Sequence, residues 1–308
     1  MKKNISILML IAGVILLAIV FLYRRGIQSN GEPGRSEIGH YERIISLSPN
    51  ITETLFALGI GDRVVGVTRF CNYPAEAREL PKVGGYLDPN YEAIMRLKPD
   101  VVVLIDDFQQ IKSFLSQLGI KFLGVKNKTV SDIRSSIEYL GTTFGAQSRA
   151  AEILHEIDEQ IRTIHQRTSS SRRPKVMIVI ERTMGTGAIE GVYVAGKNTY
   201  FDELIHMAGG ANAYQDEKIA YPILTAEGII HLNPEVIIDL IPQLKQTGLD
   251  SLDAIRDWAS LTQVDAVKNH RVYIITQDYA VIPGPRFALF LVDLAKIIHP
   301  EIHWIQDE

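Results

Sequence analysis

From Arg43 onward the chain alternates short apolar runs with amphipathic stretches. Arg43-Ile-Ile-Ser-Leu47 predicts a strand, followed by Ser-Pro-Asn and a short helix from Thr52 to Leu58 that Gly59 stops. Val64–Val67 predicts the next strand. A helix from about Tyr91 stops at Pro99 and gives way to the apolar strand Val101–Ile105. Phe108–Leu118 predicts a helix ended by Gly119, and Lys121–Val125 another strand. Strands that are apolar almost throughout, alternating with helices, predict a parallel sheet covered on both faces.

After Gly145 the rhythm changes. Between Ser148 and Arg167, Ile153, Leu154, Ile157, Ile161 and Ile164 recur at helical spacing among charged residues. This predicts one amphipathic helix about 30 Å long. Thr-Ser-Ser-Ser-Arg-Arg-Pro then breaks it, and a second alternation begins at Lys175-Val-Met-Ile-Val-Ile180. It holds a helix near Thr199–Met207, a strand over Arg271–Ile275 and a last helix from about Arg286 to Ile298. The expected fold class is α/β. An N-terminal lobe (41–147) and a C-terminal lobe (171–308), each with a mainly parallel sheet covered by helices, are joined by one connecting helix (148–170). A helical connector is stiff, so the lobes are expected to move little relative to each other.

The N-terminus is a separate object. Lys2 and Lys3 precede a twenty-residue uncharged run, Asn4 to Tyr23, which Arg24 and Arg25 close. Twenty residues at helical rise span about 30 Å, a bilayer core. A cleaved signal peptide is the alternative, but Phe21-Leu-Tyr-Arg-Arg25 stands where a small-residue cleavage site belongs. The reading favours an uncleaved membrane anchor over residues 1–25, followed by a flexible Gly/Ser/Glu-rich tether over 26–40. Basic residues at both ends leave the orientation open.

One phrase occurs twice. In 91-YEAIMRLKPDVVVL-104 and 226-AEGIIHLNPEVIIDL-240, Glu92, Ile94, Leu97, Pro99, Asp100 and Val101 correspond to Glu227, Ile229, Leu232, Pro234, Glu235 and Val236, always 135 residues apart. That period is about one domain length, too long for a solenoid and right for two related lobes. In each copy a capping residue, Asn90 or Thr225, stands two positions before the glutamate, which places Glu92 and Glu227 where the helix dipole favours a carboxylate. A helix that covers a parallel sheet starts at the carboxyl edge of the strands, where open α/β sheets bind ligands. Both glutamates are therefore expected on the functional rim. Six residues before each is a tyrosine, Tyr86 or Tyr221, in the loop that enters the helix. Facing lobes would place these rings on opposite walls of one cleft, suited to a large planar or apolar ligand.

Composition narrows the chemistry. Apolar residues make up 46% and charged residues 22%, and the formal net charge of −4 comes with no Lys/Arg block that would suit a nucleic acid. The single cysteine, Cys71, allows no internal disulfide. Gly191-Val-Tyr-Val-Ala-Gly-Lys-Asn198 resembles a phosphate loop but lacks the Ser or Thr that would hold Mg²⁺ after the lysine. Its expected role is a loop in which Asn198 or Thr199 caps the next helix, although an NTPase stands as the enzymatic alternative. The eight histidines are scattered, and His299 and His303, four apart, are separated by Pro300, so no metal set is expected. A single His or Tyr would still suffice for haem. No catalytic motif is present, and a tethered interaction module is the third class.

The motifs Arg-Ile-Ile-Ser-Leu-Ser-Pro (43–49), Thr-Glu-Thr-Leu-Phe-Ala-Leu-Gly (52–59), Val-Val-Gly-Val-Thr (64–68), Tyr-Pro (73–74), Val-Gly-Gly (83–85), both repeated phrases and Pro-Gly-Pro-Arg (283–286) resemble the metal-chelate substrate-binding proteins of ABC importers, which carry cobalamin, siderophores or haem. They span about residues 43–300, and the likeness is greatest to the cobalamin-binding members. The resemblance implies a class III periplasmic-binding-protein fold with a shallow cleft between the lobes. It implies a non-enzymatic protein with no resident cofactor or metal, any metal arriving with the ligand. It further implies an extracytoplasmic body whose Glu92 and Glu227 dock onto arginines of a two-fold permease. Phe70, Tyr86 and Tyr221 match positions that flank the corrin, with Tyr where Trp is frequent, and the region of Asp278 faces the ligand in the family.

Overall fold

The computed structural model describes residues 40–304. The expected anchor (1–25) and all but the last residue of the expected tether (26–40) lie outside the described residues. Among the described residues no helix is long and apolar enough to cross a membrane.

The N-terminal lobe runs β1 (Ile44–Ser46), α1 (Pro49–Ala57), β2 (Val64–Val67), α2 (Ala75–Arg78), α3 (Tyr91–Arg96), β3 (Val101–Ile105), α4 (Gln109–Gln117), β4 (Phe122–Val125) and α5 (Val130–Phe144). Its sheet is parallel throughout, in the order β2-β1-β3-β4. The connecting helix α6 covers Gln147–Thr168. The C-terminal lobe follows with β5 (Lys175–Glu181), β6 (Val192–Val194), α7 (Tyr200–Met207), β7 (Ala211–Asn212), β8 (Ile223–Leu224), α8 (Ala226–Leu232), β9 (Val236–Leu240), α9 (Leu244–Thr247), α10 (Ser251–Trp258), α11 (Asp265–Lys268), β10 (Val272–Ile275) and α12 (Phe287–Ile298). Here β10, β9, β5 and β7 pair in parallel, while β6 and β8 extend the sheet antiparallel.

Period-two burial decides which core each strand face joins. Val101, Val103 and Ile105 of β3 face one large core, and Val102 and Leu104 face a smaller one beneath Ile94 of α3. In the other lobe Val176 and Ile178 of β5 and Val236 and Ile238 of β9 join the same large core, while Met177, Val179 and Ile237 face a separate cluster with Ile229 of α8. Ile153, Ile157 and Ile164 of α6 also belong to the large core. One continuous apolar mass therefore crosses from lobe to lobe along the connecting helix, and the two repeated helices α3 and α8 cover the outer faces. Helix α5 is not among the elements expected above, although Ile133, Ile137, Leu140 and Phe144 carry helical spacing. Ser135, Ser136, Gly141 and the Thr142-Thr143 pair interrupt the apolar pattern there.

The repeated phrase is first a structural clasp. Lys98 and Asn233, the residues before the two prolines, both have φ of 46°. After each proline the acid turns back on the amino end of a neighbouring strand. Asp100 accepts the N–H of Arg43 at 2.8 Å and Glu235 that of Lys175 at 3.5 Å. Conversely, the Arg43 side chain donates to Leu97 O and the Lys175 side chain to Leu232 O, which closes the last turn of α3 and of α8. Each helix thus ends at the amino edge of its sheet and begins at the carboxyl edge. The clasp and the cores use Ile94, Asp100 and Val101 and their counterparts Ile229, Glu235 and Val236, but not the glutamates.

Behind the rim of the C-terminal lobe Arg182 is buried between two carboxylates. It donates to Asp239 and to Asp257, both at 2.7 Å, and Trp258 Nε1 also donates to Asp239. Asp257 in turn accepts the N–H groups of Gly185 and Gly187 and so holds the loop after β5. Arg182→Met should leave two buried carboxylates without their cation and cost about 3–5 kcal/mol. Urea unfolding would measure it, and a loss below about 1 kcal/mol would contradict the assignment.

Candidate ligand cleft

The carboxyl ends of β1 and β3 lead into Ser48-Pro49-Asn50 and Asp106-Asp107-Phe108. These, except Asp106, with Ile105, Tyr86, Asn127 and the segment Val281–Pro283 of the other lobe, line a cavity of about 400 Å³ between the lobes. Phe108 and Tyr86 form its aromatic side, with ring centroids 6.1 Å apart. Phe70 meets Tyr86 edge-on at 5.9 Å and carries the Arg69 guanidinium over its face, but lies outside the lining. Arg69 is held in turn by Asp88 across the Tyr86 loop, with Nη–Oδ distances of 3.0 Å. The Tyr86 ring is 40% exposed, available to a ligand and already positioned by two neighbours.

Tyr221 stands on the C-terminal lobe, exposed, just before β8, and is not part of this lining. Its loop is fixed by Gly196, whose N–H donates to Ala220 O at 2.8 Å. A Cβ at Gly196 would meet Ile219 O at 2.6 Å, so the backbones approach this closely only at a glycine. The loop resembling a phosphate site is thereby explained as structure. Gly196 seats the Tyr221 loop, Lys197 lies 3.4 Å from Asp202, and Thr199 Oγ1 caps α7 by accepting Asp202 N–H.

Asp278 is not part of this lining. Its carboxylate accepts from Arg286 Nη1 at 3.0 Å. Arg286 reaches across the lobe boundary to the buried Glu53 of α1, with Nε–Oε2 at 2.9 Å, and its guanidinium lies 3.8 Å from the Tyr73 ring centroid. Burial pushes the Glu53 carboxyl above its usual value, and the hydrogen bond and charge of Arg286 pull it back. A second polar staple crosses nearby, where Glu203 of α7 accepts the Val130 N–H at the start of α5 at 2.7 Å. The lip Val281–Pro283 is tied to α1 through Arg286. Sequence reasoning missed Glu53, yet it stands in an α1 turn whose other members from Asn50 to Leu55 are buried, a signal that such a carboxylate has a partner.

The two rim glutamates are where cap spacing places them. Asn90 accepts Ala93 N–H and Thr225 accepts Gly228 N–H, which makes Glu92 and Glu227 second-position residues. Both are exposed. Glu92 makes one 3.3 Å contact with Arg96. Hydrogen bonds from its own N–H and from Thr225 hold the Glu227 carboxyl below its usual value.

The periplasmic binding protein family profile matches residues 44–279. The chain belongs to this family. Among its relatives is an uncharacterized ABC transporter substrate-binding lipoprotein of Bacillus subtilis, 30% identical over 266 residues, covering 84% of this chain and 81% of that one. A vitamin B12-binding protein of Vibrio parahaemolyticus is 26% identical over 259 residues, 83% of this chain and 88% of that one. A periplasmic haem binding protein from Pseudomonas aeruginosa shares the fold, with a TM-score of 0.74 at 21% identity over 86% of this chain and 95% of that one. The protein is thus an ABC-transporter substrate-binding protein with the expected two-lobed class III fold, and its relatives are transport proteins rather than enzymes.

Arg286→Met should leave Glu53 buried without its cation and cost about 3–5 kcal/mol near neutral pH. A carboxyl whose folded pKa lies above its unfolded value binds protons more tightly when folded. Stability therefore falls as pH rises above the usual Glu value of about 4.3 and recovers as pH drops back towards it. The deficit of the variant against wild type should shrink between about pH 7 and pH 5 in urea titrations. A deficit that stays constant with pH would contradict the role given to Glu53.

Proposed function

We propose that this protein captures a corrinoid between its lobes, outside the cytoplasm, and delivers it to an ABC importer. The observation that carries the reading is the charge of the cavity lining. Its polar groups are Ser48, Asn50, Asn127 and the carboxylate of Asp107, with no lysine, arginine or histidine among them. A macrocycle edged with neutral amides matches hydroxyl and amide partners, and its flat apolar face matches Tyr86 and Phe108. Haem would bring anionic carboxylates that call for cations, and the lining of this cavity supplies none. The vitamin B12-binding relatives agree with this choice of ligand. Phe70 supports Tyr86 from behind, Tyr221 contributes from the C-terminal lobe, and Asp278 acts through Arg286 on the lip. The N-terminal run would hold the body on the membrane.

Tyr86→Ala and Tyr221→Ala should each remove stacking worth about 0.5–1.5 kcal/mol beyond buried area, a loss of about two- to tenfold in corrinoid affinity. Both rings lie in loops, so unfolding midpoints should hardly change. Titration calorimetry on the detergent-solubilised chain reads the effect, and a double variant with wild-type affinity would remove the tyrosines from the site.

Delivery rests on the two rim glutamates. Each lobe presents one exposed carboxylate at the same helix position, which suits a two-fold permease offering one guanidinium to each. An exposed carboxylate contributes little to stability. Glu92→Arg and Glu227→Arg should leave folding and corrinoid affinity nearly unchanged, each weaken docking, and together abolish uptake in reconstituted vesicles. Uptake by the double variant at the wild-type rate would refute the docking role.

A further inference from the structure

The space between the lobes continues beyond the lobe boundary. A second cavity of about 380 Å³ shares Ile105, Asp107 and Asn127 with the central one and is lined only by the N-terminal lobe. A third, of about 220 Å³, shares Asp106, Val125, Lys126 and Asp132 with the second and reaches Ser135 and Tyr139 of α5. The three form one trough along the carboxyl ends of β3 and β4. Its character changes from aromatic to charged and then to hydroxyl-bearing.

The sequence builds this annex deliberately. Ile105 and Val125 are parallel partners, so the residues after them leave the sheet side by side. Asp106 folds back over β4, and a Cβ at Gly124 would meet its Oδ1 at 2.3 Å, so glycine makes the room. Ser136 accepts the Lys126 N–H at 3.2 Å and donates to the Lys126 carbonyl at 2.8 Å, which fixes that backbone and leaves the ammonium out of the bond. Two of the neighbouring carboxylates are already matched by cations. Lys112 holds Asp106, Lys128 holds Asp107 at 2.7 Å, and Asp132 accepts Lys128 N–H at 3.1 Å. What the annex still offers is the outer lone pairs of three carboxylates, the hydroxyls of Ser135 and Tyr139, and the Lys126 ammonium.

That set recognises hydroxyls through carboxylates and one anionic group through a lysine. Pockets for drug-sized ligands are roughly 300–1,000 Å³, and the central cavity stands at the lower end of that range. A complete corrinoid exceeds it and must extend outward. We propose that the annex holds the ribose-phosphate arm of the bound corrinoid, with the two free sugar hydroxyls donating to carboxylates among Asp106, Asp107 and Asp132 and the phosphate on Lys126. This rests on the corrinoid reading above. It makes Lys126 a specificity residue that separates complete corrinoids from those lacking the arm.

The test is a pair of titrations of the full chain in detergent, with cyanocobalamin, which carries the arm, and with dicyanocobinamide, which does not. Wild type should bind cyanocobalamin more tightly. Lys126→Glu should weaken cyanocobalamin by about two- to fivefold or more, the scale of one exposed charge contact, leave dicyanocobinamide unchanged and so erase the preference. Lys126→Arg should retain it. Equal wild-type affinities, or equal losses for both ligands in Lys126→Glu, would overturn the annex while leaving the corrinoid reading intact. Binding of neither ligand by wild type would overturn the corrinoid reading and the annex with it.

Discussion

A half-buried arginine of one lobe neutralises a buried glutamate of the other, and the cleft depends on that pair. Without Arg286, Glu53 would be an uncompensated carboxylate inside α1, and the lip Val281–Pro283 would lose its tie to the helix whose first residues face it. The pair works because the large core has already brought the lobes together. Ile51 and Leu55 of α1, the isoleucines of α6, and Phe287 and Phe290 of α12 lie in one apolar cluster. Apolar burial sets the distance between the lobes, and the ion pair sets their register. Together with the Glu203 cap on α5, they join the two walls of the cleft by direct contacts.

Function is laid over this frame at the carboxyl edges of the two sheets. The repeated phrase illustrates the division of labour. Its proline, its acid and the left-handed residue before the proline clasp the amino edge of each sheet. Its glutamate, at the opposite end of the same helix, makes no contact that the lobe needs. An exposed carboxylate at a helix start in both lobes is available to a partner that approaches the rim.

Much of this was legible in the sequence. Near-continuous apolar strands such as Val101–Ile105 announced parallel sheets, the isoleucine spacing of 148–167 announced the connecting helix, and cap spacing placed Glu92 and Glu227. Other features were hidden for identifiable reasons. Helix α5 carries too many small polar residues for its apolar stripe to stand out. The antiparallel strands β6 and β8 are only three and two residues long, below the reach of a period-two pattern. The partnership of Glu53 with Arg286 spans 233 residues of sequence, and no local rule connects them. Asp278 is engaged by that same arginine, again without a local rule to announce it. Phe108 and Asn127 line the cavity because they follow the ends of two adjacent strands, which only the strand order reveals.

The central claim is that the aromatic cleft, without a cation in its lining, is built for a corrinoid. Its most direct test is calorimetric titration of the detergent-solubilised chain with cyanocobalamin, haemin and a ferric hydroxamate siderophore under identical conditions. The account predicts saturable one-to-one binding of cyanocobalamin, with tyrosine quenching, and far weaker binding of the other two. Tight binding of haemin or the siderophore, with none of cyanocobalamin, would contradict it.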